Sequence, residues 1–246
     1  MDLESTVIRS WRAEPPYHKE EHFENQAIIK DLIIGVSDGL TVPFALAAGI
    51  SSISEDTHFI VVAGIAEIIA GSISMGLGGY LSGKSEIEHF NSEKAKEYRE
   101  IIEKPEREEQ EIYEIFEKYH VKKEYLTDLM NVLKNDHDAW VDFMMKFELN
   151  LECPDPKRPF ISALTIAGGY LLSGIYTLFP YIFIKETLKA LYVSIGITCF
   201  ALFLLGYLKN NGNVISRLKS AFHTTFIGVL AATAAFGITY GINKVT

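Results

Sequence analysis

Five stretches of this chain, near residues 32–54, 58–83, 160–183, 187–208 and 219–242, are apolar for long enough to cross a bilayer. A hydrocarbon core about 30 Å thick needs about 20 helical residues. Soluble cores rarely hold five such runs, so the sequence predicts an all-α integral membrane protein with five transmembrane helices. The hydrophobic share of 48% is ordinary for a globular protein and hides this organisation, because apolar and charged residues are segregated along the chain. Two of the runs carry a carboxylate. Asp38 interrupts the first and Glu67 the second. A charge near the middle of a membrane helix costs about 2.5–3.5 kcal/mol on insertion scales, so a residue of this kind marks an ion or proton site by default.

Residues 1–30 carry acids, bases and Pro15-Pro16, with no apolar core before a small-residue cleavage site, so the first membrane helix is expected to act as its own signal. Orientation follows from Lys and Arg in the short flanks. Arg9, Arg12, Lys19 and Lys30 precede the first span, and Lys209, Arg217 and Lys219 fill the turn between the fourth and fifth. The opposite turns hold none (Ser54 to Thr57) or two (Lys185 and Lys189). The N-terminus, the polar segment between spans two and three, and the 209–219 turn are therefore expected in the cytosol, with the C-terminus on the far side. Cys153 and Cys199 make neither a disulfide framework nor a zinc spacing.

The polar segment from Lys84 to Glu152 holds 19 Asp and Glu against 11 Lys and Arg, a net of −8 in a chain of −9. A block this acidic does not suit phosphate or nucleic acid; it suits cations. It reads as three helices: about Lys84 to Glu103, stopped by Pro105; about Glu106 to Tyr119; and one from near Lys122 to before Pro154. Ile112, Ile115, Phe116 and Tyr119 on the second, and Tyr125, Leu129, Val132 and Leu133 on the third, keep the spacing of buried stripes. Glu93, Glu97 and Glu100 share one face of the first helix, and Glu108, Glu111 and Glu114 one face of the second. Like charges at this spacing repel by a few tenths of a kcal/mol per pair, roughly, and a cation between them removes that repulsion. A solvated acidic face is the commoner reason for such spacing. Against it stands Met144-Met145 followed by Glu148, with Met145 and Glu148 on one face. Carboxylate with thioether suits a borderline transition metal such as ferrous iron better than magnesium or calcium, although methionines commonly just fill cores.

In the membrane, Pro43 frees the carbonyl of Gly39 close to Asp38. The run Gly71-Ser72-Ile73-Ser74-Met75-Gly76-Leu77-Gly78-Gly79 is small enough for close helix packing. Met75 lies about two turns beyond Glu67, close to the same face. A carboxylate, a freed carbonyl and a thioether together suit the lining of a divalent-cation path. Desolvation favours the protonated form of a carboxyl and a divalent cation displaces that proton, which supplies a physical route to metal–proton exchange. His223, near the start of the fifth span, has Thr224 and Thr225 beside it to satisfy it.

Residues Asp31 to Leu46 (DLIIGVSDGLTVPFAL) and Ser74 to Leu81 (SMGLGGYL), with the acidic insertion between spans two and three, resemble the vacuolar iron transporter family along essentially the whole chain after the first 20 residues. The resemblance implies a homodimer with five membrane helices per subunit and a path along the dimer interface. It implies export of ferrous iron from cytosol into a vacuole or similar acidic organelle, driven by protons moving the other way, with no prosthetic group and no enzymatic reaction. Asp38, Glu67 and Met75 then line the path. Glu97, Glu100, Glu108, Glu111, Met144, Met145 and Glu148 form a cytosolic metal-binding site open to other divalent transition metals. The implied organisation is a cytosolic segment 1–30, membrane helices in 31–83, a cytosolic metal-binding domain 84–158 and membrane helices in 159–246. Manganese is an alternative cargo, since preference among similar divalent ions depends on geometry and availability. A different class of function follows from Glu86-Ile87-Glu88-His89 and Glu117-Lys118-Tyr119-His120. Two Glu-x-x-His motifs are part of ferritin-like di-iron centres, which would make the insertion a membrane-tethered ferroxidase.

Overall fold

The computed structural model describes residues 22–210 and 212–245, with side chains from Gln26 onward. Arg9, Arg12, Lys19 and Pro15-Pro16 lie outside the described residues. The elements are α1 (His22–Ser51), α2 (Thr57–Glu103), α3 (Pro105–Glu117), a 3-10 turn (Lys123–Leu126), α4 (Thr127–Asn135), α5 (His137–Phe147), α6 (Arg158–Phe183), α7 (Thr187–Leu208) and α8 (Val214–Val245). Five of these, α1, α2, α6, α7 and α8, are long and apolar enough to cross a membrane.

The expected first helix of the insertion is not a separate element. Helix α2 runs unbroken for 47 residues, about 70 Å at 1.5 Å per residue. It starts at Asp56, whose side chain accepts from the His58 N–H (2.9 Å), and stops at Glu103 before Pro105. Nothing between residues 57 and 103 forbids helix: the change from apolar to charged at Lys84 changes the solvent the helix sees, not its backbone. The expected third helix is divided. Asp136 leaves the helical region (φ −134°, ψ 93°) and its side chain accepts from the Ala139 N–H at 3.0 Å, so it caps a new helix, α5.

Helix α5 folds back onto the distal half of α2. Phe90 and Ile101 of α2 join Ile112, Met130, Leu133, Trp140, Val141, Met144 and Met145 in one apolar core. Of the stripes expected to be buried, Ile112 and Leu133 are, and Ile115, Phe116 and Leu129 are half-buried; Tyr119, Tyr125 and Val132 are exposed. The chain turns sharply at His120 (φ 61°) and does not carry Tyr119 back onto the core.

In the membrane bundle α6 is the central helix, packed along α2 and α1, while α8 packs on α1 and α7. Polar contacts tie the bundle: Ser194 Oγ of α7 donates to the Thr177 carbonyl of α6 (2.8 Å), and Thr187 Oγ1 at the start of α7 donates to the Glu55 carbonyl in the turn between α1 and α2 (2.6 Å). Two glycines let Tyr170 of α6 approach α1 and α2 closely. A Cβ on Gly39 would strike the carbonyl and Cα of Tyr170, and one on Gly71 would lie 2.6 Å from the Tyr170 hydroxyl oxygen. Overpacking of this kind costs about 1–3 kcal/mol. Gly39→Ala is therefore expected to lower the melting temperature of the detergent-solubilised protein by several degrees, read by thermal scanning. An unchanged melting temperature would show that α1 and α6 can separate freely.

Candidate metal-binding and ion-path sites

The first site lies on the part of α2 beyond the apolar run. Glu97 of α2, Glu108 of α3 and Glu148 at the end of α5 each present a carboxylate oxygen within 4.8 Å of the other two. Each acid is four residues from a member of the insertion's core: Ile101, Ile112 and Met144. Residues four apart share a helix face, so packing the core drives the three carboxylates together. Glu97 and Glu108 are each only 2% exposed, and each has an Oε2 with no hydrogen-bond partner. Burial first, and the neighbouring carboxylates second, push Glu97, Glu108 and Glu148 each up from the usual 4.5 to about 7. Two buried acceptors without donors among the described residues, from α2 and α3, joined by the exposed Glu148 at the end of α5, make the donor set of a cation site.

The remaining acids sort by their partners. Glu100 and Glu111 lie close enough to raise the proton affinity of the trio, but each also faces a base, Lys96 at 3.7 Å and Arg107 at 3.0 Å. Glu93 pairs with Lys96 (3.7 Å), and Glu114 accepts from the Gln110 side chain (3.3 Å). Met144 and Met145 are buried in the apolar core beneath the trio. The two Glu-x-x-His motifs do not converge. His89 lines a cavity with Asn150 and Glu152, whereas His120 lines another with Lys122 and Lys123.

The second site lies within the apolar part of α2. The Tyr170 hydroxyl of α6 donates to Glu67 Oε1. Glu67 Oε2 is buried with no partner. Asp38 of α1 is within electrostatic reach of the same hydroxyl, so Tyr170 bonds one of the two acids identified from the sequence and lies near the other. Sequence reasoning missed Tyr170 because a tyrosine in an apolar span reads as packing. The one available hint is the small residues themselves: Gly71 leaves room on α2 for the ring, and Gly39 lets the backbone of α6 come close to α1. Pro43 lies inside α1, as the sequence requires, and packs against Gly174. Met75 does not join this pair. It lines a cavity of about 420 Å³ further along α2, with Asp31, Glu86 and Arg158. His223 is exposed on α8, and Thr224 and Thr225 spend their hydroxyls on carbonyls of their own helix (2.9 Å each).

The VIT family matches residues 29–240. Among curated proteins, the chain is 49% identical over 220 residues to vacuolar iron transporter 1 of Arabidopsis thaliana, covering 89% of this chain and 88% of that one. It is 46% identical over 227 residues to vacuolar iron transporter 1 of Oryza sativa subsp. japonica, covering 92% and 90%. It is 37% identical over 218 residues to Protein CCC1 of Saccharomyces cerevisiae, covering 85% and 67%. With a match that runs from the first membrane helix into the fifth and relatives of nearly half identity over nine-tenths of the chain, this protein belongs to the VIT family, that of the vacuolar iron transporters.

Proposed function

We propose that the protein is a proton-coupled antiporter that moves ferrous iron, with manganese as a second cargo, from the cytosol into a vacuole or similar acidic organelle. The observation that carries this reading is the placement of two desolvated carboxylate sites on one continuous helix, Glu97 about 45 Å from Glu67 at 1.5 Å per residue. The names of the relatives supply iron and the vacuole.

In this account the Glu97–Glu108–Glu148 trio captures the ion at the cytosolic surface, with Glu100 and Glu111 adding charge and Met144 and Met145 forming the wall beneath. Asp38, Glu67 and Met75 line the way across. The ion's charge replaces the proton on Glu67, and a proton arriving from the acidic side removes the charge that held the ion. The insertion 84–158 serves as a cytosolic metal-binding domain on a stalk shared with the membrane helix. The segment 1–30 is cytosolic, 31–83 and 159–246 hold the membrane helices, and the C-terminus is lumenal. The exposed apolar face of α2, with Ile65, Ile69, Ile73 and Leu77, suits lipid or the second subunit of a homodimer. No observation favours the ferroxidase reading over this one.

Proteoliposome uptake of ferrous iron and manganese, with the interior acidic or neutral, tests the proposal. Uptake that requires the acidic interior is expected, and indifference to interior pH would contradict proton coupling. Tyr170→Phe removes the hydroxyl that donates to Glu67 while keeping the ring against Gly71. It is expected to shift the pH dependence of uptake and to lower its rate about tenfold, as for loss of a hydrogen bond to a charged group. A variant with the parental pH profile would assign Tyr170 to packing.

A further inference from the structure

We propose that the cavity between α1, α2 and α6 is a vestibule for the divalent cation, and that the Arg158 guanidinium occupies the cation's place on Asp31 until the ion arrives. This rests on the transport reading above and adds to it an intermediate site and a resident counter-ion.

The cavity, about 420 Å³, is lined by Asp31 of α1, Met75, Ser82 and Glu86 of α2, and Arg158 and Ser162 of α6, with Lys30 also on its wall. Its place on α2 is what gives it meaning. At 1.5 Å per residue, Glu86 is about 16 Å short of Glu97 and Met75 about 12 Å beyond Glu67. The cavity therefore occupies the gap between the two carboxylate sites. Asp31 also lies seven residues before Asp38, two turns along the same side of α1. Oxygen donors from Asp31, Glu86 and the serines, with the Met75 thioether, are ligand types that a borderline divalent ion accepts.

Asp31 is 6% exposed, and Arg158 Nη1 donates to its Oδ2 at 2.6 Å. A buried carboxylate stripped of its partner is strongly unfavourable, and so is the stripped guanidinium. Arg158 therefore leaves Asp31 readily only when another cation replaces it. Arg158 is also the first residue of α6, ten residues after Glu148, and its N–H donates to the Asp155 carbonyl (2.9 Å) in the short connection between them. The resident cation of the vestibule is thus carried on the segment that leaves the capture site.

The test is the KM for ferrous iron in proteoliposomes of the parent, Asp31→Asn and Arg158→Gln. Asp31→Asn leaves an uncompensated positive charge in the cavity, and Arg158→Gln an uncompensated negative one. The vestibule predicts shifts of opposite sign: KM rises at least about fivefold in Asp31→Asn and falls about fivefold in Arg158→Gln. A structural clip between α1 and α6 predicts the same loss in both. Shifts in one direction, or none in either, with an active parent would overturn the vestibule and leave the transport reading intact. A parent that moves no iron would overturn the transport reading itself. Should either variant fail to fold, Glu86→Gln at an exposed position carries the test: a raised KM is expected, and an unchanged one overturns the proposal.

Discussion

Replacing Glu67 by Gln abolishes metal uptake while leaving the protein folded. The Tyr170 hydroxyl that donates to Glu67 Oε1 can donate equally to the amide oxygen of Gln, and the side chain keeps its volume, so packing between α2 and α6 persists. What disappears is the charge. Glu67 Oε2 is buried and has no hydrogen-bond partner among the described residues, and an amide in its place can neither attract a divalent ion out of water nor exchange a proton for it. The expected result is uptake at the level of empty liposomes from a variant that elutes as a single species with parental thermal stability. A Glu67→Gln protein that transports would remove Glu67 from the path.

The second large effect concerns the trio. Changing Glu97, Glu108 and Glu148 together to Gln is expected to eliminate high-affinity metal binding by the full-length protein and to raise the KM for uptake. It should also change how stability depends on pH. Each of the three carboxyls rises from 4.5 to about 7 on folding. Between those values the native state binds more protons than the unfolded state, so metal-free stability falls as pH rises from about 4.5 through about 7 and stays low above. Exposed Glu148 contributes least, because solvent screens it. The metal-free parent should thus melt several degrees lower at pH about 8 than at about 5, since 1 kcal/mol moves a chain of this size by roughly 2–4 °C. The triple variant should show far less of this slope, and added ferrous iron should restore the parent at the higher pH. A parent whose melting temperature is flat over this range, with and without iron, would contradict the convergence of the three acids.

Much of this site was legible because helix periodicity is local. Glu97 and Glu108 fall on acidic faces that spacing alone defines. Spacing could not separate them from Glu93 and Glu114, since what distinguishes these is a base or an amide brought near: Lys96 for Glu93, Gln110 for Glu114. The convergence of Glu148 depends on α5 folding back onto α2, which in turn depends on the break at Asp136. Asp136 carries the signature of a cap, but the apolar stripe around it reads as one continuous helix. The unbroken α2 was hidden for the opposite reason. A sharp change of composition at Lys84 suggests a boundary, yet composition sets the environment of a helix, while its ends are set by local features such as the Asp56 cap and Pro105. In the membrane, Asp38 and Glu67 declare themselves as charges in apolar runs. Tyr170 does not, since its hydroxyl acquires meaning only from the approach of α6 to both acids.

Simultaneous recording of ferrous iron uptake and interior pH in proteoliposomes, for the parent and for Glu67→Gln, tests the central claim most directly. The account predicts iron accumulation in the parent together with alkalinisation of an initially acidic interior, and neither signal in Glu67→Gln. Iron accumulation in the parent with no movement of protons, or the same paired signals in Glu67→Gln, would contradict it.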